Sequence, residues 1–317
     1  MRPRSIRPES VWPKVVRPKA VRHLIVTADD FGLDPAINEA VELAHTQGIL
    51  SAASLMVGQP AAGDAIARAK RLPGLRVGLH VTLTGGALPL LGPERIPELV
   101  DRQGRLPARL AAFGVKLAAS AALRRQAWAE IRAQFEAFAA TGLTLDHANA
   151  HQHFHQHPFV LEAMIRIGRD FGLRAVRVPH EPLWLARAVG ATAPSAGRLE
   201  AAAWALGTGW MRRRLRAAGL ECNDYLFGLR SSGRTDEAAL CQALGALRPG
   251  VAEIYLHPAS RADAPQRAAG VGARAPAELA GLIGGAARAQ LHALGFTVGG
   301  FGDINRSGAG ALVGASR

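Results

Sequence analysis

The sequence predicts an α/β fold, specifically a closed or nearly closed (β/α) barrel, and two observations favour this class. Short aliphatic runs alternate along the chain with helical stretches, a pattern that implies parallel strands joined by crossover helices. About seven such units occur in 317 residues, which favours a barrel over an open sheet. With 49% hydrophobic residues, the chain can bury a substantial core as one large domain or two modest ones.

The strands are expected where β-branched and aliphatic residues cluster. The seven predicted strands, in chain order, are 24–28, 50–57, 75–83, 143–149, 175–178, 252–256 and 296–299. The first helix is expected to follow Asp34, a suitable N-cap, with Pro35 in its first position. Further helices are predicted at 61–71, 124–141 and 159–171. The barrel domain is therefore expected to span residues 23–305.

One segment interrupts the alternation of strands and helices. Residues 182–232 have helical character, contain no predicted strand and include Trp184, Trp204 and Trp210. We expect this segment to be a helical insertion over one end of the barrel. The functional residues of such folds lie where the carboxyl ends of the strands point.

The net charge of +13 raises the question of nucleic-acid binding. Residues 1–23 carry seven arginines and lysines against one glutamate in a Pro-rich stretch, which predicts a disordered basic tail over 1–22. No apolar region follows it, so it is not a secretory signal. Aromatic residues are only 5% and are not interleaved with basic ones, so we expect no nucleic-acid partner. Residues 306–317 are expected to form a flexible C-terminal tail.

The location of the protein is expected to be cytoplasmic. No apolar run approaches the roughly 20 residues that cross a bilayer. The two cysteines, Cys222 and Cys241, are too few for a disulfide framework or a zinc site, and are typical of a reducing compartment.

Polar residues gather at the ends of the predicted strands. They are Asp29, Asp30, His80, His147, His151, His153, His155, His157, Arg177, His180, Glu181 and His257. Each has an ordinary alternative: Asp30 as a helix cap, His80 as a satisfied core residue, the histidine run as a surface loop. Together, carboxylates and histidines from several strand ends favour a site for zinc, manganese, iron or magnesium.

The motifs "TADDFG", "GLH", "AHQHFHQHP" and "YLHPA" occur in that order, and the chain resembles the YdjC-like carbohydrate deacetylases, which include chitooligosaccharide deacetylases. The resemblance covers about residues 22–303. It implies a distorted TIM-like (β/α) barrel of the polysaccharide-deacetylase type that acts on an N-acetylated amino sugar. "HANAHQHFHQHP" and "NDYLFGLRSSG" are most similar to the hopanoid-biosynthesis-associated branch, which implies an N-acetylglucosaminyl hopanoid as substrate.

The resemblance also implies roles for individual residues. One divalent ion, Mg²⁺ by family resemblance with Zn²⁺ or Mn²⁺ left open, would be bound by Asp30, His80 and His151. Asp29 would be the general base and His257 the general acid. Candidate substrate contacts are Arg177, His153, Trp204 and Trp210.

Position 149 departs from the family pattern. Many relatives have an aspartate two residues before the first histidine of the run, where this chain has Asn149. An amide cannot serve as a charged partner of a ligating histidine. We therefore expect an altered environment for the His151 ring.

The paired aspartates suit the hydrolysis of an acetamide. A divalent ion lowers the pKa of bound water, towards ~7 for zinc, and polarises a carbonyl. One carboxylate must bind the ion while the second takes the proton from water. Neighbouring side chains of a strand point opposite ways, and the turn at Phe31-Gly32 is expected to let the two diverge.

The stretch 200–220 combines tryptophans with clustered arginines, a composition typical of helices in the headgroup region of anionic membranes. A helix packed on the barrel with solvated arginines is the alternative. The expected partners are thus an amino-sugar substrate, lipid-linked in one alternative, and the inner face of the cytoplasmic membrane; a homodimer is left open. A metal-dependent phosphoesterase and a non-catalytic sugar-binding module are the alternatives from other function classes.

Overall fold

The computed structural model describes residues 22–190, 197–263 and 274–304, without the side chains of 197–203. The strands are β1 (Arg22–Phe31), β2 (Ala52–Leu55), β3 (Arg76–Val81), β4 (Ala148–Ala150), β5 (Tyr225–Phe227), β6 (Gly250–Leu256) and β7 (Thr297–Val298). The helices are α1 (Pro35–Gln47), α2 (Ala62–Arg71), α3 (Leu110–Ala119), α4 (Ala121–Ala140), α5 (Pro158–Asp170), α6 (Leu183–Ala188), α7 (Gly197–Ala217), α8 (Glu237–Ala246), α9 (Ala275–Ile283) and α10 (Gly285–Leu294).

The strands form one parallel sheet that curls into a distorted barrel. Its order is β4-β3-β2-β1-β6-β5, and β7 pairs with the start of β1. Residues 174–180 bridge the two ends: Val176 pairs with Ala148, Ala175 pairs with Glu221, and the Leu226 amide donates to the His180 carbonyl at 2.8 Å. The predicted α/β barrel class is thereby confirmed.

The expectation that residues 182–232 contain no strand is wrong. Helices α6 and α7 lie in this segment, as predicted, but β5 also lies there and pairs in parallel with β6. β5 has three residues and ends just before Gly228, which is too short a run to be recognised as a strand from the sequence. The predicted strand at 175–178 is present only as isolated bridges, Val176 with Ala148 and Ala175 with Glu221.

The predicted tails, 1–22 and 306–317, lie outside the described residues except for Arg22. That residue begins β1, and its guanidinium lies 4.7 Å from the ring centroid of Phe296. The predicted domain boundaries stay predictions. Across the described residues, no helix has the length and apolar content needed to cross a membrane.

The amino-terminal end of the barrel is filled with apolar side chains. Ile25, Ala52, Ala175 and Val251 form a buried cluster with Phe301, which comes from a short 3-10 turn after β7. Carboxylates, histidines and an arginine occupy the interior above this layer. The candidate site residues therefore lie toward the carboxyl ends of the strands, away from this apolar layer.

Candidate active site

The two adjacent aspartates diverge because of the backbone at Asp30. Both lie within β1, and Asp30 has a left-handed φ of 63°. The register of β1 with β2 shifts between Ala28 and Phe31. The divergence therefore arises at Asp30 itself and not at Phe31-Gly32, as the sequence had suggested. A non-glycine residue in this conformation costs of order 1–3 kcal/mol, and such strain concentrates at functional sites.

A second strained turn faces the first one. Gln152 and His153, directly after β4, have φ values of 54° and 55°. Together with Asp30 they are the non-glycine residues with positive φ in the described parts of the chain. Both strained places border the same group of side chains, which indicates that geometry there has been favoured over local stability.

Asp30, His80 and His151 form a compact buried cluster. One potential ligand atom from each lies within 4.8 Å of the others. Oδ1 of Asp30 is 3.3 Å from Nε2 of His80 and 3.0 Å from Nδ1 of His151. The structure thus brings together the three residues that the family resemblance implies as metal ligands.

The unpartnered atoms of this cluster fit a bound cation. Oδ2 of Asp30 and Nε2 of His151 are buried and have no hydrogen-bond partner among the described residues. Burial alone would raise the pKa of Asp30, but the charge and hydrogen bond of His151 and the hydrogen bond of His80 hold it well below its usual range. An ionised carboxylate beside two imidazoles is a donor set suited to a divalent metal.

Asp29 points to the other side, toward Arg177. The guanidinium donates to the carboxylate from both terminal nitrogens, from Nη1 to Oδ2 at 2.5 Å and from Nη2 to Oδ1 at 3.0 Å. Burial by itself would raise the pKa of Asp29, but the positive charge of Arg177, assisted by His80 and His257, lowers it far below the ordinary value. Asp29 is consequently an oriented, ionised carboxylate beside the cluster.

Arg177 is enclosed in the barrel interior between two carboxylates. Its side chain is fully buried, and it also donates to Glu253 Oε1 from Nε at 2.9 Å and from Nη2 at 2.7 Å. The substrate contact expected for Arg177 stays a prediction, and the contacts that the structure gives its guanidinium are with Asp29 and Glu253. Glu253 was missed, although a lone carboxylate within the apolar strand β6 was a signal that could have revealed it.

Replacing Arg177 with lysine is expected to lower kcat by about 10–100-fold, the usual cost of losing a group that orients a reactive one. An ammonium cannot hold both carboxylates in the same fixed geometry. Because the ammonium makes fewer hydrogen bonds to the carboxylate, burial is opposed less strongly and the pKa of Asp29 is expected to rise. The acid limb of the kcat/KM profile should move to higher pH, since activity requires the ionised carboxylate.

A matched control is Arg76→Lys. Arg76 makes a similar two-nitrogen contact with Asp303, at 2.9 and 2.7 Å, at the opposite end of the barrel. It should leave the pH profile unchanged. If Arg177→Lys also left both kcat and the acid limb unchanged, Arg177 would have no role in orienting Asp29.

His257 lies beside the aspartates at the end of β6. Its ring is 8% exposed, and Nδ1 lies 3.3 Å from Ser232 Oγ. Its backbone amide donates to Glu278 Oε2 at 2.7 Å. The positive charge of His257 contributes to lowering the pKa of both Asp29 and Asp30, so it shares their electrostatic environment.

The other histidines of the run have different surroundings. The ring of His153 is 5.0 Å from that of Tyr255, its Nδ1 is buried without a partner, and burial lowers its pKa well below the usual value. Burial also lowers the pKa of His155 to about 3, and its Nε2 lies 3.0 Å from the Arg177 carbonyl. His157 caps α5 through the Phe159 amide. His153 thus stays a candidate for substrate contact, whereas His155 and His157 have structural surroundings.

Asn149 is the neighbour of His80, not of His151 as expected. The parallel register pairs residues 80 and 149 across β3 and β4, and the side-chain amide of Asn149 lies 2.6 Å from Nδ1 of His80. His151 contacts Asp30 instead. The departure from the family pattern therefore concerns the surroundings of His80, the first of the two candidate histidine ligands.

The predicted aromatic candidates lie on α7. Trp204 donates from Nε1 to the Pro179 carbonyl at 2.6 Å, two residues after Arg177, and is 37% exposed. Trp210 is 39% exposed. Between them Thr208 is buried, with Oγ1 3.1 Å from His180 Nδ1. Trp204 is thereby tied to the segment that carries Arg177.

The fold and this cluster together define an α/β barrel with a candidate metal centre at the carboxyl ends of its strands. The YdjC-like protein family matches residues 23–293, and the chain belongs to that family. This confirms the family suggested by the motifs.

Several relatives of the chain are named carbohydrate deacetylases. One from Brevibacillus brevis is 35% identical over 162 residues, which cover 51% of this chain and 60% of the relative. One from Thermoanaerobacter pseudethanolicus is 28% identical over 239 residues, 75% of this chain and 81% of the relative. The match to the Brevibacillus protein thus spans about six tenths of that relative's length.

A solved structure from Enterococcus faecalis V583 has the same fold. It superposes with a TM-score of 0.71 at 22% identity and covers 89% of this chain and 98% of its own. That protein's assignment as a cellobiose-phosphate cleavage protein is provisional. At this level of identity the likeness concerns the fold alone.

Proposed function

We propose that the protein is a metal-dependent carbohydrate N-deacetylase that hydrolyses the acetamide of an N-acetylated amino sugar. The observation that carries the proposal is the division of two neighbouring carboxylates between different partners. Asp30 faces two histidines in a buried cluster, whereas Asp29 is held by Arg177. The names of the relatives, carbohydrate deacetylases, support the same class of reaction.

The residues that would hold the metal are Asp30, His80 and His151. A divalent ion bound there would supply acidification of water and polarisation of the acetamide carbonyl. Asp29 would accept the proton of the attacking water, because it is ionised and its carboxylate orientation is fixed by Arg177. This division of roles would account for the two adjacent carboxylates at the end of β1.

His257 would protonate the leaving nitrogen, since an amide anion is not expelled from a tetrahedral intermediate. His257→Gln is expected to retain the metal and to lower kcat by about 10²–10⁴-fold. An acetanilide with an electron-withdrawing ring should lose less, because its leaving group needs less protonation. The loss of kcat is measured by steady-state kinetics on both substrates, and metal retention is measured by elemental analysis.

A suitable control for His257→Gln is Ser232→Ala, which removes the partner of Nδ1 but leaves the ring. Its effect should be much smaller. Equal losses on the activated and unactivated amides in His257→Gln would remove the role of this histidine as the acid.

The alternatives from other classes have weaker support. A phosphoesterase with two metals ordinarily uses further carboxylate ligands, whereas the described cluster contains one, Asp30. A non-catalytic sugar-binding module has no need of an ionised Asp29 held beside that cluster. Mass spectrometry of products from an N-acetylglucosaminide, a chitooligosaccharide and a phosphate monoester separates these classes. The proposal predicts loss of one acetyl group and no loss of phosphate; unchanged masses for both sugars would contradict it.

Within this function we propose a lipid-linked N-acetylglucosaminide, such as an N-acetylglucosaminyl hopanoid, as substrate, with a chitooligosaccharide as the alternative. Exposed apolar side chains on α7 support it: Leu206 is 77% exposed, and Trp204 and Trp210 are partly exposed. The arginines of α7 support a membrane contact less than expected, because two of them have partners within the protein. Arg212 donates to the Asp224 carbonyl, and Arg214 donates to Glu162 at 2.6 Å.

The double variant Trp204→Ala, Trp210→Ala is expected to lower turnover of a lipid-linked substrate at least about tenfold more than turnover of a short soluble N-acetylglucosaminide. The reason is that the exposed indoles would cover the apolar part of the substrate or lie in the inner face of the cytoplasmic membrane. Kinetics with both substrates measure the ratio. Val298→Ala, an equally exposed position at the other end of the barrel, should leave it unchanged. Equal losses on both substrates would make α7 a structural cover and remove this support for the lipid-linked substrate.

A further inference from the structure

The loop 228–235, which lies between β5 and α8, contains the end of the motif "NDYLFGLRSSG". It brings Ser232 to the His257 ring, where the serine Oγ lies 3.3 Å from Nδ1. The ring of Tyr255, from the same strand as His257, lies edge to face at 5.5 Å between centroids. The imidazole is thus in contact with its own strand and with this loop.

The start of the loop is held close to β6. Gly228 has a φ of 125°, and a Cβ there would come within 2.5 Å of the Tyr255 carbonyl oxygen and 2.8 Å of its ring. Any other residue would therefore be both strained and crowded. The amides of Gly228 and Arg230 donate to the buried carboxylate of Glu181 at 3.4 and 2.9 Å. Glycine and a buried carboxylate together fix this end of the loop.

The other end of the loop is attached to β6 by one carboxylate, that of Glu278 on α9. Glu278 is fully buried. Its Oε2 accepts the His257 amide at 2.7 Å, and its Oε1 accepts the Thr235 amide at 3.3 Å. The Gly233 amide also donates to this carboxylate. Because Ser232 directly precedes Gly233, one side chain links the backbone of His257 to the loop that contacts its ring.

Helix α9 itself is fixed against the end of the loop. Gly281 lies three residues after Glu278 on this helix, and a Cβ there would come within 3.0 Å of the Glu237 amide nitrogen and 3.1 Å of the Asp236 carbonyl carbon. The glycine lets the helix approach the backbone that follows the loop. The carboxylate of Glu278 is therefore carried by an element with little room to shift.

The hydrogen bonds of Glu278 require a carboxylate. Both oxygens accept backbone N–H groups, one from the strand and the other from the loop. A glutamine has one acceptor oxygen, so its NH₂ group would face the N–H donors of either His257 or the loop. Two buried donors that face each other leave both without an acceptor, which is unfavourable. Glu278→Gln therefore releases one of the two attachments without a change in side-chain size.

We propose that Glu278 is a positioning residue that ties His257 to the loop 228–235 and thereby fixes the orientation of the His257 ring toward the leaving nitrogen. The role of His257 as the acid rests on the proposed function, whereas the attachment of the loop to β6 does not. Ser232 is the point at which the loop meets the ring.

The test is Glu278→Gln. Hydrogen exchange, measured by mass spectrometry, should become faster in the peptides that cover 228–235. For an N-acetylglucosaminide, kcat should fall by up to about 100-fold, the effect of displacing a reacting group by about an ångström. For an acetanilide with an electron-withdrawing ring the loss should be about tenfold smaller, because that leaving group needs less protonation.

Two further variants complete the experiment. Gly228→Ala displaces the loop from its other end and leaves Glu278 intact, so it should give the same two effects even if Glu278→Gln does not fold. Glu130→Gln is the matched control, because Glu130 is a buried carboxylate on α4 that accepts the amides of Leu90 and Leu91, at 2.9 and 3.0 Å, in the segment after β3. It should leave the difference between the two substrates unchanged.

The outcomes separate this proposal from the proposed function. Unchanged hydrogen exchange of the loop in both Glu278→Gln and Gly228→Ala would overturn the attachment. Equal losses on the two substrates in both variants would overturn the positioning role, and so would the same difference between substrates in Glu130→Gln. Faster exchange in Glu278→Gln, with a wild type that hydrolyses neither substrate, would confirm the attachment and contradict the proposed function instead.

Discussion

Asp30→Asn is expected to lose bound metal and activity together. Oδ1 of Asp30 faces both histidines of the cluster, and the amide removes the negative charge that balances a cation. Loss of a residue that merely orients a ligand weakens metal binding about 10–100-fold, so loss of the only carboxylate ligand in the described cluster should exceed 100-fold. Elemental analysis after dialysis and acetate release measure the two losses.

Asp30→Asn is nearly isosteric, so the fold should persist. Asp64→Asn is a matched control. Asp64 is a carboxylate outside the cluster, and it accepts a hydrogen bond of 2.8 Å from the Asn38 amide. It should keep both metal and activity. Full metal occupancy in Asp30→Asn would remove this residue from the metal centre. The same criterion applies to His80→Ala and His151→Ala.

Asp29→Asn is expected to behave differently from its neighbour. The metal should stay bound, because Asp29 faces Arg177 and not the histidine cluster. kcat should fall by about 10²–10⁴-fold with little change in KM, since only the proton acceptor is lost. Separate measurement of kcat, KM and metal content tests this.

Two results would contradict the role given to Asp29. If Asp29→Asn lost its metal, the two carboxylates would not have divided roles. If it retained metal and kept kcat within a few-fold of the wild type, another group would be the proton acceptor. Arg177 keeps Glu253 as a partner in this variant, so a collapse of the buried ion pairs is not expected to obscure the result.

The sequence predicted that carboxylates and histidines gather at one edge, because parallel strands end there, and the family resemblance singled out the three residues of the cluster. Asp30 and His80 lie near the carboxyl ends of β1 and β3, and His151 directly follows β4, so that edge brings them together despite wide separation along the chain. The cap at Asp34 followed from local chemistry: its side chain accepts from the Ala36 amide at 2.8 Å. Features set by strand order or by a single capping residue were therefore accessible.

Features set by register and by side-chain direction were not. The pairing of residues 80 and 149 depends on the alignment of β3 with β4, which no local pattern specifies. Glu253 meets Arg177 only because residues 174–180 and β6 face the same interior. β5 is three residues long, too short for alternation to distinguish it from the surrounding helical segment.

The central claim is tested most directly by measuring acetate release from an N-acetylglucosaminide by the purified protein. The release is measured before chelation, after removal of the chelated metal and after readdition of a divalent ion. The account predicts one acetate per N-acetyl group removed, loss of release after chelation, and recovery with the ion. Undiminished release by the metal-free protein, or no release from N-acetylated sugars by the metal-loaded protein, would contradict it.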